Sequence, residues 1–393
     1  MKDTVTQNKQ IILISVLSLA GVLIIIFSPG FSDHYSSKDS LSSVVSATTT
    51  SKTPVFEASH ISTPAAVKGI YMTSWVAGTP KLRDGLVKIM DHTEINSVVI
   101  DIKDYSGKIV FPIDDNPTLK AFGSEETRIR DLPQFIDELH KKGIYVIGRV
   151  AVFQDAYFVK FRPDLAVKNK AGTATWKDHK GISWIDAGSK DYWDYIVMIS
   201  KEAHSIGFDE INFDYIRFPS DGDMKDISFP QSSSTPKSIV LKNFFNYLHT
   251  NLAGSGLKTS ADLFGMTTTA TDDMGIGQIL ENALPYFDYI DPMVYPSHYP
   301  TTFMGYKQPE AHPYEVVQYA MKSGVDRSVT LASTSGKSVA VLRPWLQDFG
   351  LGMTYGPTEV KAQIKATNDV GLSSWILWSA SNKYTVGALE PGN

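Results

Sequence analysis

The chain has 393 residues, and its 37 Lys and Arg against 42 Asp and Glu give a formal charge of −5. Hydrophobic residues make up 42% and charged residues 20%, as in ordinary globular proteins, which excludes a collagen-like or wholly disordered chain. The missing basic excess argues against nucleic acid as a partner. Because cysteine is absent, a disulfide framework, a thiolate metal site and a cysteine nucleophile are also excluded.

The N-terminal segment predicts membrane targeting. Residues 11–27 form a nearly continuous apolar run, at the short end of what spans a hydrocarbon core of ~30 Å. Lys2 and Lys9 precede it, which places the N-terminus in the cytosol and the rest of the chain outside. A cleaved signal peptide has the same layout. We therefore expect residues 1–30 to be a cytosolic tip and transmembrane anchor holding an extracytoplasmic domain, or a signal whose cleavage secretes the protein.

Residues 31–66 differ sharply from the apolar run before them. Serine and threonine dominate, and the apolar residues follow no period. Such a segment buries too little apolar surface to offset the entropy of ordering the chain. It is predicted to be a disordered linker between the anchor and the folded domain.

Residues 67–388 alternate between strand and helix patterns. We predict eight strands, near residues 69–75, 97–104, 144–153, 210–218, 258–266, 289–295, 339–349 and 373–378. Helical patterns separate them, near residues 81–94, 132–142, 189–206, 241–252, 278–286, 313–323 and 358–368. Repeated βα units predict an α/β fold, a single (β/α)8 TIM-type barrel. A doubly wound sheet is the alternative, but the first strand lacks the glycine-rich turn typical of it.

In such a barrel the chemistry lies at the carboxyl ends of the strands. Carboxylates, aromatic rings and hydrogen-bonding groups alternate there, as binding and cleavage of a sugar chain would need. The candidates at this rim are Trp75, Asp101, Lys103, Arg149, Asn212, Asp214, Arg217, Asp262, Tyr295, His298, Trp345, Gln347, Asp348 and Trp378.

Asp214 is the clearest candidate among these residues. Period-two alternation places Asn212 and Asp214 on one face of the fourth strand, with Ile211 and Phe213 on the other. An acid in a buried strand is costly unless it is paired or functional. A purely structural ion pair with a nearby arginine is the alternative for Asp214, and an internal ion pair is the alternative for Asp101 and Lys103.

Glycosidic cleavage by paired carboxylates needs one charged carboxylate and one protonated acid. We assign Asp214 as the charged member, because Arg149 and Arg217 are the nearest basic candidates in the sequence. Asp262 is the predicted proton donor because apolar neighbours raise the pKa of a carboxyl, and Asp348 is the reserve. The remaining candidates are expected to contact substrate. Neither H-x-H nor H-E-x-x-H occurs, so we predict no metal and no cofactor.

Five segments resemble a known bacterial family. They are GFDEINFDYIRFPS at 207–220, SADLFG at 260–265, DPMVYPSHY at 291–299, RPWLQDF at 343–349 and WILW at 375–378. The family, first defined as a domain of unknown function, is described as a "putative glycosyl hydrolase domain", and the resemblance covers about residues 68–387. It implies a glycosidase-type barrel, in which Asp214 is similar to the acidic residue that several barrel glycosidase families use at the end of the fourth strand. Residues 379–384 depart from the family's pattern at the last strand, which affects a sugar contact there and not the fold.

A chitinase-like signature also begins at Gly207. It requires a glutamate where this chain has Ile216, so the proton donor of that mechanism is missing and we reject it. The sequence therefore predicts a cell-envelope glycoside hydrolase with a polysaccharide or oligosaccharide substrate. A non-catalytic carbohydrate-binding barrel and a scaffolding barrel on the envelope remain as alternatives.

Overall fold

The computed structural model describes residues 57–113 and 116–392. In these ranges nine parallel strands form one closed sheet. They are β1 (Lys68–Met72), β2 (Ser97–Lys103), β3 (Tyr145–Ala151), β4 (Glu210–Asp214), β5 (Lys258–Phe264), β6 (Tyr289–Met293), β7 (Val341–Leu342), β8 (Trp345–Gln347) and β9 (Trp375–Trp378). β7 and β8 both pair with β6, and β9 pairs with β1. The nine strands thus fill the eight positions of a TIM-type barrel, and the predicted (β/α)8 fold is confirmed.

Helices follow the strands around the outside of the barrel. They are α1 (Ser74–Ala77), α2 (Pro80–His92), α3 (Pro117–Ala121), α4 (Leu132–Lys141), α5 (Phe158–Phe161), α6 (Lys190–Ser205), α7 (Lys237–Leu252), α8 (Leu280–Ala283), α9 (Pro313–Ser335) and α10 (Pro357–Asp369). Short helices and 3₁₀ turns in the connecting loops complete the described structure.

Strand alternation separates two layers of side chains. On β4, Ile211 and Phe213 belong to the large apolar core outside the sheet, while Asn212 hydrogen-bonds across the barrel interior. This confirms the predicted alternation on β4. The apolar face predicted for α4 is also buried. Gly143, with a φ of +73°, follows that helix as predicted, in the left-handed conformation that glycine adopts without a steric penalty.

Most strands end earlier than predicted, and β1 and β4 differ most, for local reasons. β1 stops at Met72 because Thr73 caps the start of α1, where its hydroxyl accepts a hydrogen bond from the Val76 amide at 3.2 Å. β4 stops at Asp214 because Tyr215 adopts a left-handed conformation with a φ of +53°. In both cases the strand gives way to a turn at the rim of the barrel.

The seventh barrel position differs from the single strand predicted over residues 339–349. Two short strands, β7 and β8, stand there, separated by Arg343 and Pro344. Proline has no amide hydrogen to donate, so the ladder of hydrogen bonds is interrupted at that residue.

Two helix predictions also need correction. α9 continues to Ser335 instead of ending near residue 323. Gly324 lies inside it, where an added Cβ would come within 3.0 Å of Leu342, so close packing against the sheet explains the glycine. The helix predicted over residues 278–286 is only the four-residue α8.

The folded part begins before the predicted boundary at residue 67. Ser59 lies 3.0 Å from the His140 ring, the Ile61 amide donates to Asp209 at 2.9 Å, and Thr63 donates to Tyr145 at 3.2 Å. Residues 57–66 are therefore part of the domain and not of a linker. At the other end the domain runs past residue 388, since the Glu390 amide donates to Glu94 at 3.0 Å.

The predicted membrane segment, residues 11–27, lies outside the described residues, as does most of the predicted linker. Within residues 57–113 and 116–392, no helix has the length and apolar character needed to cross a bilayer.

Candidate active site

A cleft of about 590 Å³ opens at the carboxyl ends of the strands. Residues from six barrel positions and from one long loop converge on it. They are Arg149, Lys180, Asp214, Tyr215, Arg217, Asp262, Phe264, Gly265, Met266, Met293, Tyr295, His298, Tyr299, Trp345 and Trp378. The structure thus brings together eight of the residues predicted for the rim.

Asp214, the last residue of β4, faces a guanidinium in this cleft. Its carboxylate accepts hydrogen bonds from Arg149 Nη2, from Arg149 Nε at 3.2 Å and from the Tyr215 amide at 2.5 Å. Arg149 also binds the Asp101 carboxylate at 2.6 Å, which in turn accepts from the Tyr71 hydroxyl. Arg149 therefore bridges two acids and fixes the orientation of Asp214.

Tyr215 supports this orientation through its backbone. A non-glycine residue with a φ of +53° is strained, at a cost on the order of 1–3 kcal/mol. The turn aims the Tyr215 amide hydrogen at the carboxylate of the preceding residue. Strain of this kind concentrates at functional sites, where surrounding contacts hold it in place.

Asp262 on β5 has the opposite surroundings. Its Oδ1 accepts from Asn212 Nδ2 at 2.8 Å and from Trp345 Nε1 at 2.7 Å. No lysine or arginine in the described ranges lies within 4.0 Å of it, and no described group hydrogen-bonds to Oδ2. Burial first, and then the charges of Asp214 and Asp291, raise the pKa of Asp262 well above its usual range. Asp262 therefore holds a proton at pH values where ordinary carboxyls are ionised.

The two acids lie at the same level on neighbouring strands, Asp214 as the last residue of β4 and Asp262 two residues before the end of β5. Phe213 pairs with Ala261, so the residues that follow them, Asp214 and Asp262, stand side by side on strands about 4.8 Å apart. Their electrostatic interaction raises the pKa of Asp262. The cleft thus contains one carboxylate bound to an arginine beside one carboxyl that forms no ion pair with a described residue.

A buried polar network supports Asp262 from below. Asn212 Nδ2 also lies 3.2 Å from Asp291, and Arg343 binds Asp291 at 2.7 Å and Glu210 at 2.5 Å. Burial raises the pKa of Asp291 to about 6. Because Asn212 points its amide hydrogens at Asp262 and Asp291, it positions the proposed acid and does not reach the cleft.

Aromatic rings form one wall of the cleft. Trp378 stacks on Tyr71 with ring centroids 4.1 Å apart, and its edge-to-face neighbour Trp345 lies at 5.5 Å. Tyr295 and His298 follow β6, with centroids 5.2 Å apart. Burial lowers the pKa of His298, which favours its neutral form. Flat rings of this kind are suited to packing against the C–H faces of sugars.

Asp348 lies in an adjoining cavity of about 660 Å³, which shares His298 and Trp378 with the cleft. Both of its carboxylate oxygens are engaged by Thr385, at 2.6 Å from the hydroxyl and 2.8 Å from the amide. Burial raises the pKa of Asp348. The structure therefore places this reserve acid apart from Asp214, where it holds the segment after β9.

Five other predicted residues do not line the cleft. Trp75 is on α1, 62% exposed, with the Arg128 guanidinium 4.5 Å above its ring. Its prediction failed because β1 ends three residues earlier. Asp101 is buried beneath Arg149, and Asn212 is buried beneath Asp262.

Lys103 and Gln347 have structural contacts. Lys103 is fully buried and pairs with Asp155 at 2.9 Å. The internal ion pair between Lys103 and Asp101, considered above as an alternative, is therefore not formed. Gln347, also fully buried, donates to the Phe349 carbonyl at 2.9 Å and accepts from the Ser297 amide at 3.1 Å. Arg217 lines the cleft, but it makes no ion pair with Asp214.

Several cleft residues were not predicted. They are Lys180, Tyr215, Phe264, Gly265, Met266, Met293 and Tyr299. Tyr215, Phe264 and Met293 lie inside or beside the quoted motifs, so their position was available as a signal. Lys180 belongs to the long loop between β3 and α6, where no period in the sequence indicates which side chains turn towards the barrel.

No group of three or more His, Asp or Glu side chains within the described parts of the chain is arranged to hold a metal ion. The arrangement is one of acids, arginines and aromatic rings, which can bind a sugar chain and exchange a proton with it.

The sequence of residues 69–384 matches a family described as "putative glycosyl hydrolase domain". This match covers most of the chain, and the protein belongs to that family. The family resemblance inferred from the five segments is therefore confirmed. No curated protein sequence matches the chain.

Comparison with solved structures also gave matches. A hypothetical protein from Ruminiclostridium thermocellum is 33% identical, with 53% of this chain and 98% of that chain covered and a TM-score of 0.45. The glycoside hydrolase domain of PgaB from Bordetella bronchiseptica is 13% identical, covering 80% and 94%, with a TM-score of 0.52. Alpha-L-fucosidase isoenzyme 2 from Paenibacillus thiaminolyticus is 13% identical, covering 82% and 47%, with a TM-score of 0.52. At 13% identity the likeness concerns the barrel fold alone.

Proposed function

We propose that this protein is a glycoside hydrolase of the cell envelope that cleaves a polysaccharide or oligosaccharide by paired carboxylates, Asp214 and Asp262. One observation carries the proposal. The two acids lie side by side near the carboxyl ends of neighbouring strands in one cleft, and their surroundings differ in the sense that the reaction needs. Asp214 is bound to Arg149, whereas Asp262 has a raised pKa and forms no ion pair with a described residue.

The proposed reaction divides the work between them. Asp262 donates its proton to the glycosidic oxygen as the bond breaks, which makes the departing sugar a neutral alcohol. Its Oδ2, which no described group engages, is the atom suited to this donation. Asp214 either attacks the anomeric carbon or activates a water, and its negative charge stabilises the oxocarbenium-like transition state. Arg149 and the Tyr215 amide hold its carboxylate in place.

A chain of sugars is the substrate best matched to the shape of the site. The cleft continues into the cavity at Asp348 through His298 and Trp378, which line both. Aromatic residues along this route are suited to successive sugar rings. This continuity favours an oligosaccharide or polysaccharide over a single sugar.

The envelope location depends on the sequence before the described residues. The apolar run at 11–27, preceded by Lys2 and Lys9, supports a membrane anchor with the barrel outside the cytosol. Cleavage of the run as a signal would instead release the protein.

The direct test is the release of reducing ends from a panel of purified envelope polysaccharides by the full-length protein. Asp214→Asn keeps the shape of the side chain and is expected to abolish turnover while glycan binding and the thermal transition are retained. Asp326→Asn, on the exposed face of α9, is the matched control and should cleave at the parent rate. Cleavage by Asp214→Asn at the parent rate would make Asp214 a structural partner of Arg149.

The same panel tests the carbohydrate-binding alternative. If the parent protein binds a glycan tightly and releases no reducing ends from any member of the panel, a binding barrel replaces the hydrolase as the proposed function.

A further inference from the structure

One cation in the cleft lacks the carboxylate partner that the other buried arginines have. Arg149 and Arg343 each bridge two acids. Arg217 is 8% exposed and lines the cleft, yet no carboxylate in the described ranges lies within 4.0 Å of it. A buried charge without a partner is costly to a fold, so this exception calls for an explanation.

The hydrogen bonds of Arg217 leave one edge of its guanidinium free. Nη1 donates to the Phe218 carbonyl at 3.0 Å and to the Ser220 hydroxyl at 3.2 Å. Nε and Nη2 have no partner among the described residues. These two nitrogens form the edge that binds a carboxylate through two parallel hydrogen bonds.

Aromatic rings hold this guanidinium away from water. The rings of Phe264, Trp184 and Tyr215 lie 4.8, 4.9 and 5.5 Å from it. Burial lowers the pKa of Arg217, because it removes water from around the charged form. Stacking on rings offsets part of this cost but supplies no negative charge.

The acids nearest to Arg217 are engaged elsewhere. Asp214 is bound by Arg149. Asp178 accepts from Trp184 Nε1 at 3.0 Å, from Gln154 at 3.0 Å and from backbone amides of its own turn. Asp221, the third acid whose charge acts on Arg217, stays beyond 4.0 Å.

A second unpaired cation lines the same cleft. Lys180 is exposed, and within the described ranges no carboxylate lies within 4.0 Å of its ammonium group. It stands in a turn that Asp178 fixes by accepting from the amides of Lys180 at 3.0 Å and Ile182 at 2.9 Å. The cleft therefore combines a desolvated arginine with a solvated lysine, and neither forms an ion pair with a carboxylate in the described part of the chain.

We infer that the cleft binds an acidic glycan, in which a sugar carboxylate takes the Nε–Nη2 edge of Arg217 and is attracted by Lys180. The inference rests on the proposed function insofar as the ligand is a glycan, and it adds the chemical class of that glycan. A carboxylate fits the flat two-nitrogen edge better than a hydroxyl does, because it supplies two acceptors and the missing negative charge. Sulfate and phosphate esters share the charge but not the planar geometry.

The test measures binding and needs no turnover. Full-length protein carrying Asp214→Asn is titrated with oligogalacturonates, with oligosaccharides containing glucuronic acid, and with the methyl esters of both. We expect the free acids to bind at least about tenfold more tightly than their esters, as a desolvated, charge-assisted pair would give. Arg217→Met should remove this difference and Lys180→Met should reduce it. Arg162→Met, in an exposed ion pair away from the cleft, is the control and should leave it unchanged.

The outcomes separate the inference from the proposed function. Equal binding of acid and ester, no binding of any acidic oligosaccharide, or a preference that survives Arg217→Met would overturn the inference. Tighter binding of sulfated or phosphorylated oligosaccharides than of uronates would overturn the carboxylate assignment. None of these results contradicts hydrolysis of a neutral glycan, which the reducing-end assay tests separately. If Arg217→Met has the same melting temperature as the parent, any loss of binding is not due to unfolding.

Discussion

The same strands and the same residue types serve different purposes at the two ends of the barrel. At the amino-terminal end of β4, Glu210 is fully buried and bound by Arg343, and Asp209 accepts from His140, Ile61 and Val146. At the carboxyl end of the same strand, Tyr215 is strained, and the neighbouring Asp262 and Arg217 keep unused hydrogen-bonding atoms. Satisfied charges at one end stabilise the fold, and unsatisfied groups at the other are available to a substrate.

The sharpest way to break this comparison is Asp262→Asn. We expect activity to fall by about 10²–10⁴-fold, the usual contribution of a general acid. In the parent enzyme kcat/KM should decline as pH rises through the raised pKa of Asp262, because the proton to be donated is lost. Retention of activity, or of the alkaline decline, in the variant would exclude Asp262 as the acid.

The same variant should not be less stable than the parent at neutral pH. In the folded state Asp262 keeps a proton that the unfolded chain loses above about pH 4. Its raised pKa therefore lowers the free energy of unfolding as pH rises above that value. Asparagine removes this pH dependence, and urea unfolding of both proteins at pH 5 and pH 8 measures it.

At the other end of the barrel, Arg343→Met should mainly affect stability. It leaves Glu210 and Asp291 buried without their cation, and breaking such a cluster costs about 3–5 kcal/mol. The midpoint of urea unfolding measures the loss, with the exposed Arg162→Met as control, expected within about 1 kcal/mol of the parent. A loss as small as that of the control would contradict the stabilising role of this end.

Within the cleft, Trp378→Ala should weaken glycan binding by about 1 kcal/mol or more, since it removes an aromatic packing surface. Trp75→Ala is the matched control, because Trp75 is exposed on α1 and outside the cleft. Titration of both variants with a bound oligosaccharide measures the difference. An equal loss in the two would mean that the ring of Trp378 does not contact the ligand.

The smallest predicted effect is a pH dependence of the contact between residues 57–63 and the barrel. Burial lowers the pKa of His60, whose ring lies 4.3 Å from that of His204 and 3.6 Å from Asp209. His204 and His140 also lower the pKa of His60, whereas Asp209 raises it. The neutral form of His60 is thus favoured when residues 57–63 are packed on the barrel. The stability of this packing is therefore retained above the unfolded pKa near 6.5 and declines as pH falls through the folded pKa.

Hydrogen exchange of residues 57–63 at pH 7.5 and pH 5.5 measures this decline. Because His60 is partly exposed, we expect a change below about 1 kcal/mol. His60→Gln should remove most of it. Exchange that is equally slow at both pH values in the parent would show that the histidines do not control docking.

Sequence reasoning predicted what local patterns encode. Alternation on β4, the apolar face of α4 and the glycine after that helix all follow from neighbouring residues, and all three are found. The placement of Asn212 and Asp214 on one face of β4 followed from the same alternation, but the end of β4 at Asp214 did not, since the strand was predicted to continue to residue 218.

Which charged side chains form ion pairs with one another could not be predicted from local patterns. Whether Arg149 or Arg217 pairs with Asp214, and whether Lys103 pairs with Asp101 or Asp155, depends on the register between strands and on loops that cross the rim. The break at Pro344 was visible in the sequence but outweighed by the apolar residues around it. Lys180 reaches the cleft through a loop whose path no period reveals.

The seam of the barrel has a consequence for the order of events during refolding. Trp378 on β9 stacks on Tyr71 of β1, and Tyr71 leads through Asp101 and Arg149 to Asp214. Tyr71 and Trp378 lie near opposite ends of the domain's sequence, and forming contacts between segments so far apart in the chain is slow. We expect catalytic activity to return only with the last kinetic phase, together with the fluorescence change of Trp378, so a nearly folded barrel with an open seam would be inactive.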